Sequence, residues 1–270
     1  PHPLMEFTLF ALDAIGRLNS VGRASVATPG NLMSWCTMLS RHGSLSLADV
    51  VEPAIRHASR GFAATSYLAD CVADTAADLA LDPEIRRVFM PGGQPLAVGA
   101  RVVNAAYADT LRQIVREGPG ALYDGALGAI LADDMARHGA YLNRADLAQY
   151  RTNDLPVLRA SYRGFEITGP PPPCAGPLHI GQMLKILEGF DLGAKGFGTA
   201  DTVHLLAEVL KIAFADRAAS TADPDFVPVP VEQLLSASYA AQQRAEIDLD
   251  RARDWSPGVL PNEGANTTHL

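Results

Sequence analysis

The sequence predicts a mainly helical α+β chain, and three observations carry that reading. Apolar residues recur at helical spacing along most of the 270 residues, between residue types that start and stop helices. Residues 158–168 instead alternate apolar and polar around Arg163-Gly164, the pattern of two paired strands and their turn. The four prolines at 170–173 fit neither helix nor central strand and read as an extended linker.

In chain order, Asn31 is placed to cap a helix through residue 41, with Leu32, Trp35, Cys36 and Leu39 on one face and Gly43 just beyond. Ser46 and Asp49 have capping-box spacing ahead of Val50, Ala54 and Ile55. Gly61 supplies the stop for that helix, and Pro53 should bend or restart it. An alanine-rich helix is expected over 66–81, ending before Asp82-Pro83. A turn at Pro91-Gly92-Gly93 leads to helices over 102–117, 120–138 and 144–150, the last capped by Asn143. Such dense short helices predict an all-helical lobe. Beyond the linker, helices return at 178–190 and 200–216, the second with Val203, Leu206, Ala207, Leu210 and Phe214 as its apolar stripe. Residues 255–266 are rich in Pro, Gly and Asn and lack periodicity, so they read as an exposed, mobile connector that a protease, or the chain itself, can cut.

Composition narrows the function classes. A hydrophobic fraction of 48% with 19% charged residues is that of a chain able to bury a core. The net charge of −8, with scattered acids and no Lys/Arg block, argues against nucleic acid or an anionic membrane as partner. Cys36, Cys71 and Cys174 are odd in number and lack CxxC spacing, which predicts buried free thiols rather than disulfides or a thiolate zinc site. The histidines are isolated, and no metal site or cofactor fingerprint is evident. The adjacent acids Asp133 and Asp134 read as a solvated helix face. No apolar run has membrane-spanning length. Pro1-His2-Pro3-Leu4-Met5 does not read as a signal peptide and looks like a cut end.

There is no GxSxG elbow and no P-loop. The candidate for chemistry is the tail Asn266-Thr267-Thr268-His269-Leu270, for which three readings stand side by side. It fits a glycosylation sequon; it fits an ordinary loop entering a strand; and it fits a processing site that releases a threonine with a free α-amine. The third has a specific chemical logic. A threonine hydroxyl needs a base to become a nucleophile, and an α-amine on the same residue, titrating at about 7.7–8.0, can be that base. Inside the chain the Thr267 nitrogen is an amide and cannot serve, so cleavage between Asn266 and Thr267 would switch the residue on.

The rest of the chain bears on that choice. Thr28-Pro29-Gly30, Val51-Glu52-Pro53-Ala54-Ile55, Gly61-Phe62, Asp146-Leu147-Ala148-Gln149-Tyr150 and Tyr162-Arg163-Gly164 occur in order. They are followed by the four prolines, His179-Ile180, Asp191-Leu192, Gly196-Phe197-Gly198, Ala215-Asp216-Arg217 and Asp223-Pro224-Asp225-Phe226, and close on Asn266-Thr267-Thr268-His269. From about Ala27 onward this ordered set resembles the large-subunit half of γ-glutamyltranspeptidases. The resemblance implies an N-terminal-nucleophile hydrolase, with a four-layer αββα sandwich in the complete protein and this chain mostly its helical part. Residues 1–270 would be the large-subunit portion of the precursor, and 267–270 the start of the small subunit. Thr267 would be the catalytic nucleophile and Asn266–Thr267 the cleaved bond. The donor would be a glutathione-like γ-glutamyl amide, the partner the small subunit cut from the same precursor, the cofactor none, and the setting periplasmic or secreted.

Departures from the family pattern keep other readings open. Cys174-Ala175-Gly176-Pro177 stands where relatives carry Ser-Ser-Gly-Gly, and loss of two hydroxyls from a pocket loop would change the acyl group accepted. A cephalosporin or glutaryl acylase, a capsule-peptide transferase and a non-catalytic structural relative are the alternatives. Arg17 and Arg23 do not sit at the position of the family's carboxylate-binding arginine. The strands and oxyanion groups that the family needs are expected in further segments or a second chain.

Overall fold

Side-chain caps set where many of the helices begin, and glycines or hydrogen-bonded threonines set where several of them stop. The computed structural model describes residues 5–7 and 12–258, and the chain divides into two compact units, residues 2–153 and 154–270.

In the first unit the ribbon of β1 (Met5–Phe7) and β2 (Leu12–Ala14) precedes a succession of helices. The first two are α1 (Asn31–His42) and α2 (Leu47–Arg60). Asn31 is not the cap of α1; Gly30 holds that place without a side-chain bond. Gly30 is required by close approach, because a Cβ there would lie 2.2 Å from the Tyr150 hydroxyl. The expected apolar face of α1 is not a core face: no α1 residue is fully buried, and Trp35 is 60% exposed. α2 does begin on the Ser46–Asp49 capping box, each side chain accepting from the other's backbone N–H. It stops at Gly61, whose φ of 79° and proximity to the Val102 carbonyl (2.7 Å from a built Cβ) exclude other residues. Pro53 neither ends nor restarts α2, which runs through it. Residues 49 and 53 are exposed, so the carbonyl left without its donor can turn to water.

The helix expected over 66–81 is two helices, α3 (Ser66–Asp74) and α4 (Ala76–Leu79). Thr75 divides them, its hydroxyl and its N–H both bonding the Cys71 carbonyl at 2.7 and 3.2 Å. α5 (Pro83–Phe89) is missing from the sequence reading although Asp82-Pro83 is its start signal: the Asp82 carboxylate accepts from Glu84 and Ile85. β3 (Phe62–Ala63) pairs with β4 (Arg101–Val102), so the next helix, α6 (Ala105–Glu117), begins at its Asn104 cap rather than at residue 102. An extended Gly125 separates α7 (Gly120–Tyr123) from α8 (Ala126–Arg137) within the span expected as one helix. α9 (Arg144–Gln149) starts at Asn143 as expected. One core cluster gathers Ala64, Val72, Val88, Met90, Leu96 and Val102; another gathers Met135, Leu142 and Leu147. Asp134 is not simply solvated, since its carboxylate takes a 2.6 Å bond from Arg23, which also pairs with Asp82.

The second unit opens with the expected hairpin, β5 (Leu158–Tyr162) against β6 (Phe165–Gly169), Tyr162 opposite Phe165. Arg163 (φ 46°) and Gly164 (φ 85°) form its two-residue turn, with the positive φ pair that suits twisted strands. The prolines link β6 to α10 (Ala175–Leu187), which starts earlier than expected. Cys174-Ala175-Gly176-Pro177 is therefore no loop but the cap and first turn of a helix, and Cys174 makes no side-chain cap bond. The helices α11 (Leu192–Lys195), α12 (Ala200–Ser220), α13 (Val231–Leu234) and α14 (Ala237–Glu246) follow. Ile186, Leu187, Leu205, Val209, Ile212 and Ala240 form one cluster of this unit's core, and Leu158, Leu178, Leu234 and Tyr239 another.

α12 reverses the sequence reading. Its buried face carries Leu205, Val209, Ile212 and Ala213 with Glu208 and Asp216, while Val203, Leu206, Leu210 and Phe214 face outward. The helix is apolar on both sides, and periodicity identifies faces without saying which one is covered. The cysteines also depart from expectation: all three are free, but Cys36 and Cys71 are half-buried and Cys174, at the mouth of α10, is exposed.

The two faces of α12 give a direct test. Ile212→Ala should cost about 2–5 kcal/mol of unfolding free energy, and Phe214→Ala in the 270-residue chain about 0.5 kcal/mol or less. Equal losses in chemical denaturation would reverse the assignment of the faces.

Candidate functional site

Asn266 and Thr267, the predicted cleavage site and nucleophile, lie outside the described residues. What the structure describes is the ground ahead of them. α10 contributes His179 and Gln182, α12 contributes Glu208, Lys211 and Asp216, and α14 contributes Tyr239. Their polar atoms form two connected groups on the inner side of α12, and both hold the chain that returns after α14.

The first group centres on Asp216, 1% exposed. Its Oδ2 accepts from Tyr239 Oη at 2.7 Å and from Gln182 Nε2 at 2.5 Å, and its Oδ1 accepts the backbone N–H of Gly258 at 2.8 Å. A carboxylate only accepts, so the amide of Gln182 is oriented with Oε1 free to accept from His179 Nδ1 at 2.9 Å. Nε2 of His179 then accepts from the Thr221 hydroxyl at 2.7 Å. Every donor in the chain points the same way, toward Asp216, with His179 neutral. Burial pushes the His179 imidazole below its usual range, against the bond to Gln182 and the field of Asp216. Burial, then the bond to Asp216, pushes the Tyr239 phenol well above its usual range, so it stays protonated and donating.

The second group centres on Glu208, whose carboxylate takes Lys211 Nζ at 2.7 Å and the indole N–H of Trp255 at 2.6 Å. Burial opposes its ionisation, but the bonds from Lys211 and Trp255 outweigh that and hold its carboxyl below the usual range. Lys211 also reaches the Arg253 carbonyl at 3.0 Å, and the Arg253 guanidinium lies 4.2 Å over the Trp255 ring. His204 Nε2 meets the Asp248 carbonyl at 2.8 Å. Contacts at 204, 208, 211 and 216 thus follow residues 248–258 along about 18 Å of helix. Residues 255–258 are consequently not the free connector that their composition suggests.

None of these side chains was singled out from the sequence as a site, although Ala215-Asp216-Arg217 and His179-Ile180 belong to the ordered family set. The available signal was the pair Glu208 and Asp216, which share helical spacing with Leu205, Val209 and Ile212. The structure also joins other members of that set. Tyr123 Oη donates to the Pro29 carbonyl (2.6 Å), accepts from Met33 (3.1 Å), and its ring stacks on Tyr150 at 5.7 Å, so Thr28-Pro29-Gly30 meets the Asp146–Tyr150 segment. Arg163 donates from its backbone to Glu188 (2.7 Å) and from its guanidinium to the Phe190 carbonyl (2.8 Å). Arg17 and Arg23 are engaged in ion pairs with Asp78, Asp82 and Asp134. Among the described residues, no group of three or more His, Cys, Asp or Glu side chains could hold a metal ion, and no helix is long and apolar enough to cross a membrane.

The family model for γ-glutamyltranspeptidase matches residues 7–270. The chain belongs to the γ-glutamyltranspeptidase family. It is 52% identical over 258 residues to the acylase ACY 1 proenzyme of Pseudomonas sp. (strain V22), covering 96% of this chain and 46% of that protein. It is 36% identical over 247 residues to the glutathione hydrolase proenzyme of Escherichia coli (strain K12), covering 90% and 43%. A cephalosporin acylase from Bacillus halodurans superposes with a TM-score of 0.81 at 31% identity, over 88% of this chain and 45% of that one. The chain thus spans less than half the length of these curated relatives. Over the part that superposes, the chain shares the fold of that solved neighbour, and its own residues are mainly helical with short strand pairs, an α+β chain.

The buried histidine sets a pH dependence. Its folded pKa lies below the 6.5 of a free imidazole, so its contribution to stability is full above that value and is lost as pH falls through the depressed pKa. In urea titrations between about pH 7 and about pH 5, wild type should lose more stability on acidification than His179→Gln. Parallel losses in the two proteins would show that His179 is not buried neutral.

Proposed function

We propose that the complete protein is an autoprocessing amidohydrolase in which Thr267 is the nucleophile. The observation that carries this reading is the family match running through residue 270, and the resemblance of Asn266-Thr267-Thr268-His269 to the family's processing site supports it. The word proenzyme in the names of both curated relatives supports it. In maturation the Thr267 hydroxyl attacks the Asn266 carbonyl carbon, the Asn266–Thr267 amide bond breaks, and the nitrogen leaves as the α-amine. Water then opens the ester and leaves an Asn266 carboxylate. In turnover the freed α-amine takes the proton from the Thr267 hydroxyl, which attacks the substrate amide carbon; the C–N bond breaks, the amine leaves with that proton, and the acyl ester left on Thr267 is opened by water or an acceptor amine.

Hydrolysis of an acylase type is favoured over γ-glutamyl transfer by 52% identity to a protein named acylase against 36% to one named glutathione hydrolase. Family membership keeps γ-glutamyl amides as the second reading. The complete protein would form the four-layer αββα sandwich, and the outward stripe of Val203, Leu206, Leu210 and Phe214 is the kind of surface such a sheet would cover.

The full-length precursor should mature into two bands, the smaller beginning at Thr267, and Thr267→Ala should stay uncut and inactive. N-terminal sequencing that finds another start, or full activity in that variant, sinks the assignment. Side-by-side assays of wild type should give faster turnover of glutaryl and β-lactam amides than of a γ-glutamyl anilide; the opposite order would return the enzyme to the γ-glutamyl class.

A further inference from the structure

The approach to the cleavage site is held by charged groups that the proposed chemistry does not use. Asn266 follows Gly258 by eight residues in the sequence, and Gly258 is the last described residue ahead of the predicted cleavage site. Two carboxylates on one helix face do the fixing: Glu208 on the Trp255 indole, and Asp216 on the Gly258 N–H. Gly258 is itself cut to fit, since a Cβ there would lie 2.0 Å from the Tyr239 hydroxyl and 2.9 Å from Gln243 Nε2. Two buried acids, an indole and a glycine without room for a methyl group are a costly way to hold a piece of loop, because each buried carboxylate must be hydrogen-bonded to offset its desolvation.

We propose that Glu208 and Asp216 are positioning residues for maturation: they clamp Trp255 and Gly258 and so set the starting point of the segment that carries the Asn266–Thr267 bond. This rests on the reading of Thr267 as the nucleophile. Self-cleavage is intramolecular, and its rate depends on how often the segment carrying the bond adopts an attacking geometry; anchoring one end of that segment reduces the arrangements it samples. The clamp is assigned to the uncut chain alone, so its contribution ends once the bond is cut.

The test uses the full-length precursor. Trp255→Phe removes the bond to Glu208 while keeping an aromatic ring, and Gly258→Ala pushes the segment off Tyr239 and Asp216. Each should slow first-order appearance of the small subunit about tenfold or more. Co-expression of separate large and small chains, starting at Thr267 and so needing no cleavage, should give Trp255→Phe and Gly258→Ala proteins with wild-type kcat and KM. A merely structural role would lower those values as well. Melting temperatures measured in the uncut Thr267→Ala background separate slow cleavage from poor folding, and if Gly258→Ala does not fold, Trp255→Phe alone decides. Cleavage within twofold of wild type in a folded variant, or loss of kcat in the co-expressed form, overturns the clamp. If Thr267→Ala is itself cut at the usual place, the nucleophile assignment fails first. If Thr267→Ala stays intact while the clamp variants mature at the normal rate, only this inference fails.

Discussion

Burial of the Asp216 carboxylate organises the second unit. A carboxylate taken out of water costs several kcal/mol, and each hydrogen bond from a well-placed donor returns about 1.5–3 kcal/mol. Asp216 can therefore stay inside only if several donors reach it, and its three come from three different elements: Gln182 on α10, Tyr239 on α14 and the backbone at Gly258. That requirement ties α10, α12 and α14 to one another and to the returning chain. It also propagates: with Gln182 committed to donating, His179 must present a protonated Nδ1 and an accepting Nε2, and Thr221 must donate. A change at one member leaves the next with a buried polar atom and no partner, so such networks specify one arrangement rather than add a little stability to many.

The same helix shows how burial and charge combine. The inner face of α12 mixes aliphatic side chains with Glu208 and Asp216, while its exposed side carries the stripe Val203, Leu206, Leu210 and Phe214 beside Asp201, Lys211 and Arg217. In a helix whose only cover is its own unit this would be the wrong way round. It makes physical sense if the outer stripe is reserved for a second layer and the inner acids for specific partners that water would otherwise satisfy.

The family set acquires physical meaning in the same way. Gly30 is a glycine because Tyr150 lies on it, and Gly164 because a two-residue hairpin turn needs a positive φ. Tyr123, outside any of the ordered segments, is what brings Thr28-Pro29-Gly30 to the end of α9. Several of these segments mark places where backbone meets side chain at close range, where few residue types fit. The exposed Phe197 and Phe226 are exceptions for which the described residues offer no packing reason.

Sequence alone determined what depends on near neighbours. The capping box at Ser46, the cap at Asn143, the stop at Gly61 and the hairpin at Arg163-Gly164 are set within a few residues by donor, acceptor and φ requirements, and all stand in the structure; the proline link is free of helix and strand as expected but turns at Pro172-Pro173 instead of staying extended. The ordered segments likewise named the family, because many weak local matches in one order are jointly specific. The proposed Asn266–Thr267 site rests on a pattern in that order. Tertiary structure decided what depends on distant partners. It broke helices at Thr75 and Gly125, set Gly30 against Tyr150, and chose the face of α12 that is buried. Periodicity is symmetric about a helix that is apolar on both sides; only the donors brought up by α10, α14 and the 248–258 segment could make the acid-bearing face the inner one.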